Sequence, residues 1–233
     1  MPMISGSPTP VGRTNPSAAR FTSVHLLIAL ALLFVASPFI QELPSARVIQ
    51  RFLIAVVFLA ALFAVAGRGS VLVGSLLAGA AVLGQWVGFF IPAVSSYSLL
   101  PAIAFLVFVI ARVLKYILSA TEVDNETLCA CLSGFLMIGL LWASVYILLG
   151  HLDPKAFAFT LPGQTMDGFE AFYFSFVTLS TIGYGDITPV SRVAKMLCVM
   201  EAITGMFYVA VLVARLVSIY STPARPKSDD KQG

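Results

Sequence analysis

Charged residues are what this sequence has least of. Only 11% of its 233 residues are charged, 59% are hydrophobic, and the mean hydropathy is +0.95. A soluble globular domain carries about 25% charged residues. The polar side chains here are too few to cover a water-soluble particle, which excludes a soluble enzyme, a secreted disulfide scaffold and a disordered protein. The composition predicts an integral membrane protein surrounded by membrane lipids.

Residues that do catalysis or bind metals are also scarce. The chain has three cysteines and two histidines. No histidine lies near Cys129 and Cys131, so a four-ligand zinc site cannot be assembled, and we expect the cysteines to act as small apolar side chains. Neither His25 nor His151 lies near a candidate nucleophile or carboxylate pair. A net charge of +3 is too small to indicate nucleic acid. We therefore expect no enzyme activity, no cofactor and no nucleic-acid partner.

Long apolar runs dominate the rest of the chain. A helix needs about 20 apolar residues to cross a bilayer, and six runs reach that length. A seventh run, 168–179, has only 12 residues, too few to cross but too apolar for a surface loop. Such a half-helix is tolerated where protein or a water-filled cavity surrounds it. The sequence predicts an all-α membrane protein with six transmembrane helices and one re-entrant helix. The predicted spans are 21–40, 48–66, 71–91, 99–118, 128–150 and 193–220.

The basic residues predict the orientation of these spans. Lysine and arginine accumulate on the cytoplasmic side, and nine of the 14 fall on the side of both termini. Both termini are therefore expected in the cytoplasm, with the half-helix entering from outside. Residues 1–20 are rich in Pro, Ser, Thr and Gly and predict a disordered tail. A signal peptide is disfavoured because the first apolar run ends at Pro38 without a small-residue cleavage site. Residues 221–233 are expected to form a short cytoplasmic tail.

The residues that follow the half-helix carry the most specific signal in the chain. They are Thr181, Ile182, Gly183, Tyr184, Gly185 and Asp186. This segment resembles the selectivity filter of the potassium channel superfamily, which reads TVGYG and is usually followed by Asp. The resemblance extends over about 128–220. It implies that the carbonyls of the first four residues, with the Thr181 hydroxyl, bind potassium as the permeant ion, because rings of carbonyls replace its water shell. Gly183 and Gly185 supply the backbone freedom that this arrangement requires.

The resemblance also implies how the chain is assembled and what it does. One filter copy cannot surround an ion, so four chains are expected to form a homotetramer. Residues 121–220 would form the pore domain and 21–120 a four-helix, sensor-like domain. The expected function is passive, potassium-selective flux in the cell membrane. Two alternatives remain: a potassium transporter component, which normally carries four divergent filter copies, and a non-conducting regulatory subunit. A separate regulatory subunit is a further possible partner.

The fourth predicted span lacks the arginines of a voltage sensor. It carries only Arg112 and Lys115, both at its inner end, whereas steep voltage gating needs several charges within the field. We expect these two residues to be ordinary membrane anchors and the pore not to be strongly voltage-gated. In lacking sensor charges the chain resembles voltage-insensitive six-span bacterial channels. This resemblance and the short loops predict that the chain lies in a bacterial inner membrane.

Four residues are candidates for supporting the filter. Thr178 lies near the end of the half-helix, whose dipole favours a cation there. Tyr173 occupies the position where relatives bond an aromatic side chain to the acid at the mouth of the pore, here Asp186. The alternative is that Tyr173 is simply an aromatic residue at the membrane interface. Glu201 is a carboxylate inside a span, which is costly and marks function. It is expected to hydrogen-bond a hydroxyl such as Ser175 or Ser180, with a role as a proton-sensitive element as the weaker alternative.

The last predicted span supplies the inner part of the candidate pore. Gly205 follows Thr181 by 24 residues, the spacing at which relatives place a hinge glycine, so it predicts either bending or close packing. Met206, Val209 and Val213 follow at helical spacing and are expected to line the cavity and an apolar inner constriction, which gates by dewetting.

Overall fold

Seven α-helices, one short 3-10 helix (Tyr97–Leu99) and a two-stranded ribbon are the regular elements in the described part of the computed structural model. The structure describes residues 22–40, 43–65, 71–91, 96–120 and 124–220. Six of these helices are long and apolar enough to cross a membrane. The helices are α1 (Thr22–Ile40), α2 (Ala46–Val65), α3 (Val71–Phe90), α4 (Leu100–Ser119), α5 (Asn125–Leu152), α6 (Gly168–Leu179) and α7 (Arg192–Tyr220); the strands are β1 (Phe157–Phe159) and β2 (Ile187–Pro189).

The predicted arrangement of spans is confirmed: the chain is a mainly helical, multi-pass membrane protein. The half-helix predicted at 168–179 is α6, with the same ends. The largest shift is at α5, which begins at Asn125 instead of residue 128. The reason is a helix cap that hydropathy does not register: Asp124 accepts hydrogen bonds from the Thr127 amide and hydroxyl, at 2.9 and 2.8 Å.

No strand was expected from the sequence, but the structure contains a two-stranded ribbon. Strands β1 and β2 pair antiparallel, with Phe157 opposite Pro189 and Phe159 opposite Ile187. Each strand has three residues, too few to display the alternation that identifies a strand. The ribbon joins the segment before α6 to the segment just after the candidate filter.

Apolar contacts join the first four helices to the second half of the chain. Helix α1 packs against α2 and α5, and α4 packs against α3 and α5. The ring of Phe34 in α1 reaches α6, with its centroid 4.5 Å from those of both Phe172 and Phe176. The four-helix unit therefore contacts the re-entrant helix of its own chain.

Three of the sequence-based expectations concern residues outside the described part. The predicted tails, 1–20 and 221–233, lie outside it. So does 121–123, where the boundary between the predicted sensor-like and pore domains falls.

Candidate ion pathway

The backbone of the candidate filter is left-handed at every second residue. Thr181, Gly183 and Gly185 have φ angles of 58°, 60° and 82°. Thr181 is the only non-glycine residue with a positive φ within the described ranges. For a β-branched side chain this conformation is strained, and such strain persists at functional sites. Alternation of this kind keeps successive peptide groups pointing to the same sides of the strand.

The amides and the carbonyls of this strand differ in their hydrogen bonding. The amides of Ile182 and Gly183 both point back to α6, where they approach the Val177 carbonyl at 2.9 and 3.4 Å. Over the described part of the chain, none of the carbonyls of residues 181–184 accepts a hydrogen bond. The residues that carry these carbonyls are exposed. The strand thus offers a row of unengaged oxygens, the ligand type that replaces water around a potassium ion.

Helix α6 ends directly behind the start of this strand. The amide of Thr181 donates to the carbonyl of Thr178 at 2.9 Å, and the hydroxyl of Ser180 donates to that of Phe176 at 2.5 Å. The carboxyl end of a helix carries partial negative charge, which favours a cation near its last turn. Thr178 lies in that last turn, as the sequence indicated.

Asp186, at the other end of the strand, is held by a residue that the sequence analysis missed. Thr160 donates to the Asp186 carbonyl twice, from its amide at 2.9 Å and from its hydroxyl at 3.0 Å. This bonding continues the β1–β2 ribbon by one residue. It fixes the backbone of Asp186 without using its carboxylate.

A cavity of about 230 Å³ lies beside this contact, and both Tyr173 and Asp186 line it. Partial burial, followed by a hydrogen bond to the Asp186 carboxylate and its negative charge, raises the pKa of Tyr173 to about 12. The phenol therefore keeps its proton at neutral pH and remains a donor. Partial burial also raises the pKa of Glu170, in the wall of the same cavity.

A buried junction of three helices surrounds Glu201, which has no exposed surface. Its Oε1 atom lies 2.5 Å from the Ser175 hydroxyl of α6, and its Oε2 atom lies 2.5 Å from the Tyr146 hydroxyl of α5. Ser175 also lies 2.8 Å from the Gly139 carbonyl of α5. Of the two serines considered from sequence, the structure brings Ser175 to Glu201 and turns Ser180 to a backbone carbonyl. The sequence carried no signal for Tyr146, which lies 55 residues away.

Gly205 marks the closest approach of α7 to α6. A Cβ atom at this position would lie 2.3 Å from the Leu179 carbonyl, which is backbone and cannot turn away. Close packing is therefore one role of this glycine, and the bend that the sequence also allowed stays a prediction. Met206, Val209 and Val213 are exposed on α7.

Sequence comparisons agree with this geometry. The profile of an ion channel family matches residues 135–222, which include α6, the candidate filter and all of α7. Two-pore potassium channel 4 of Arabidopsis thaliana is 36% identical over 101 residues, which are 43% of this chain and 36% of that protein. The inward rectifier potassium channel Kirbac3.1 of Paramagnetospirillum magnetotacticum is 33% identical over 89 residues, 38% of this chain and 28% of that protein. The chain is therefore similar to an ion channel family over residues 135–222 and to potassium channels over part of its length.

The similarity to these potassium channels is confined to part of each protein. The chain spans between about a quarter and a third of the length of the curated relatives it matches. No solved structure matches the chain. Below, α5 is called the outer helix, α6 the pore helix and α7 the inner helix, the terms used for ion channels.

Proposed function

We propose that this chain forms a potassium-selective pore that conducts passively. The observation that carries the proposal is the filter strand, in which the left-handed residues alternate and the amides of Ile182 and Gly183 face the pore helix. Its free carbonyls provide oxygen ligands without any protein charge. The permeant ion is the substrate, and the pore requires no cofactor.

The working unit that we propose is a homotetramer. One strand offers oxygens from one side only, and a ring around an ion needs four copies of it. In the single chain, Tyr184 of the filter is 70% exposed and Met206 of the inner helix is 63% exposed. Neighbouring copies would cover the filter, while Met206, Val209 and Val213 would line a shared inner cavity. Native mass spectrometry of the detergent-solubilised protein should give the mass of four chains.

The supporting residues have proposed roles in this pore. Thr178 places the negative end of the pore helix below the filter, and Tyr173 restrains Asp186 at the outer mouth. Glu201 holds the pore helix from behind. Gly205 lets the inner helix approach the pore helix and serves as a hinge when the pore opens.

We propose that the pore lies in the cell membrane, a bacterial inner membrane, with both termini in the cytoplasm, as the excess of basic residues on that side predicts. Its gating does not depend strongly on voltage. The basic residues of α4 are Arg112 and Lys115, both in its second half, which leaves the rest of this helix without charges for the field to act on.

Potassium and sodium flux through the purified protein in liposomes tests the proposal. The variant is Gly183→Ala, which adds a Cβ to a filter residue with a φ of 60°. The matched control is Gly163→Ala, because Gly163 also has a positive φ (84°) and open space around it, but lies outside the filter. We expect wild-type protein and the control to carry potassium in preference to sodium, and Gly183→Ala to lose that preference.

The same flux assay separates the proposal from its alternatives. Equal sodium and potassium flux in the wild type would contradict selectivity. Absence of flux at every pH, voltage and lipid composition would favour a regulatory subunit. Uptake against a potassium gradient would favour a transporter component.

A further inference from the structure

We propose that Glu201 holds the three-helix junction as a neutral carboxylic acid, donating its own proton to Ser175 and accepting one from Tyr146. The junction itself is a property of the folded chain. Its consequence for conduction rests on the proposed function.

The junction contains three contacts between oxygen atoms. They join the Gly139 carbonyl to the Ser175 hydroxyl at 2.8 Å, the Ser175 hydroxyl to Glu201 Oε1 at 2.5 Å, and Glu201 Oε2 to the Tyr146 hydroxyl at 2.5 Å. All three distances are within the range of O–H···O hydrogen bonds. Two oxygens at such a distance repel each other unless a proton lies between them.

A count of protons identifies the missing donor. Three contacts need three protons, and the hydroxyls of Ser175 and Tyr146 provide one each. A carbonyl oxygen provides none. The third proton must therefore be on Glu201, because an ionised carboxylate only accepts. Each of the three hydrogen bonds then has one donor and one acceptor: Tyr146 donates to Glu201, Glu201 donates to Ser175, and Ser175 donates to the Gly139 carbonyl.

The surroundings of Glu201 agree with a neutral side chain. Among the described residues, no lysine, arginine or histidine contacts it. The titratable groups that face it are Tyr146 of the outer helix and, on its own helix, Cys198, whose sulfur lies 3.6 Å from the Tyr146 hydroxyl. The pore helix contributes only Ser175. A carboxylate with no exposed surface and no cation beside it is costly inside a membrane.

Ionisation would break the chain of bonds at a defined point. A charged Glu201 would attract the single proton of Ser175, which would then leave the Gly139 carbonyl. The pore helix would lose this bond to the outer helix while keeping its bond to the inner helix. The proton on Glu201 thus determines whether the pore helix is tied to two helices or to one.

Infrared spectroscopy of the purified protein at neutral pH tests the protonation directly. We expect a carbonyl stretch of a protonated carboxylic acid that Glu201→Gln removes and that Tyr146→Phe shifts, because Tyr146 donates to that carbonyl. The Tyr146→Phe spectrum keeps the test decisive if Glu201→Gln does not fold. A wild-type spectrum whose acid bands respond to neither substitution overturns the proposal.

Potassium flux in liposomes then tests the consequence. A Gln side chain can form both hydrogen bonds of a neutral acid, since its carbonyl accepts from Tyr146 and its amide NH₂ group donates to Ser175. We expect Glu201→Gln to keep the flux and Glu201→Ala to lose about tenfold, as expected when buried polar groups lose their partner. Loss of flux in Glu201→Gln, with the infrared band present in the wild type, would overturn the claim that neutrality suffices. Absence of flux in the wild type with that band present would contradict the proposed function and leave the protonation established.

Discussion

The two halves of this chain are held together by different kinds of contact. In the described part of 22–120, the interior is apolar and one polar side chain, Ser37, is buried. In 124–220, the buried polar side chains are those of Glu126, Thr127, Ser133, Ser175 and Glu201, of which Thr127, Ser175 and Glu201 form side-chain hydrogen bonds. Apolar packing tolerates exchange of one hydrophobic side chain for another, whereas a buried hydrogen bond needs a particular partner at a particular distance.

The distribution of sequence similarity follows the same division. The ion channel profile matches 135–222, and no part of the first four helices is included. The proposed pore requires free carbonyls at fixed positions, which directional contacts in the second half would provide. The first half packs by apolar contacts against the outer helix and, through Phe34, against the pore helix, and many apolar sequences can provide such packing. The contrast predicts that matched substitutions in the two halves have unequal effects.

The largest difference should come from the same substitution at two helical glycines. Gly205→Ala would place a Cβ 2.3 Å from the Leu179 carbonyl, whereas a Cβ at Gly79 in α3 meets nothing within 4 Å. We expect Gly205→Ala to lower the stability by about 3 kcal/mol and to reduce potassium flux strongly. Gly79→Ala should raise the stability by up to about 1 kcal/mol and leave the flux unchanged. Thermal unfolding and liposome flux measure both, and similar behaviour of the two variants would contradict the contrast.

The next effect concerns the aromatic contact that joins the halves. Phe34→Ala removes a ring that contacts both Phe172 and Phe176 at 4.5 Å. We expect a loss of about 2 kcal/mol and an altered open probability, because the pore helix loses its support from α1. Phe39→Ala on the same helix is the control, since Phe39 is exposed. If the two variants unfold at the same temperature and gate alike, the contact does not couple the halves.

A smaller effect is expected at the outer end of the filter. Thr160→Val removes the hydroxyl that binds the Asp186 carbonyl at 3.0 Å but keeps the amide bond. One hydrogen bond is worth about 1 kcal/mol, so we expect the current to decay about fivefold faster during sustained opening. Thr160→Ser retains the hydroxyl and should restore the wild-type rate in single-channel or macroscopic recordings. Equal decay in all three proteins would exclude this restraint.

The smallest effect is expected from neutralising the two basic residues of α4. Each charge that crosses the field contributes about 2.3 kcal/mol per 100 mV, and Arg112 and Lys115 both lie in the second half of α4. Neutralising both to Gln should leave the dependence of open probability on voltage unchanged. A change in the steepness of that dependence would show that these residues move within the field.

Much of this fold can be predicted from sequence because hydropathy alone sets the spans. About 20 apolar residues cross a bilayer whatever they pack against, and the same reasoning identified α6 by its 12 residues. The candidate filter was identified for a different reason, since its glycines are read directly from the motif. Short-range polar interactions were not predicted. The Asp124 cap starts α5 earlier than hydropathy indicates, and strands of three residues are too short to show an alternating pattern.

The contacts between elements were the least predictable part of the site. Glu201 was identifiable as a carboxylate in a span, and a hydroxyl such as that of Ser175 was expected as its partner. Tyr146 was not, because α5 is apolar on all sides and its sequence does not reveal which face turns inward. Thr160 binds a backbone carbonyl, which any residue would present, so no residue type at position 186 could have indicated it.

The most direct test of the whole account is the reversal potential of single channels in a planar bilayer with potassium on one side and sodium on the other. We expect a large potential that opposes potassium flow in the wild-type protein and a potential close to zero in Gly183→Ala. A reversal potential near zero for the wild-type protein would contradict potassium selectivity, and with it the reading of residues 181–185 as a selectivity filter.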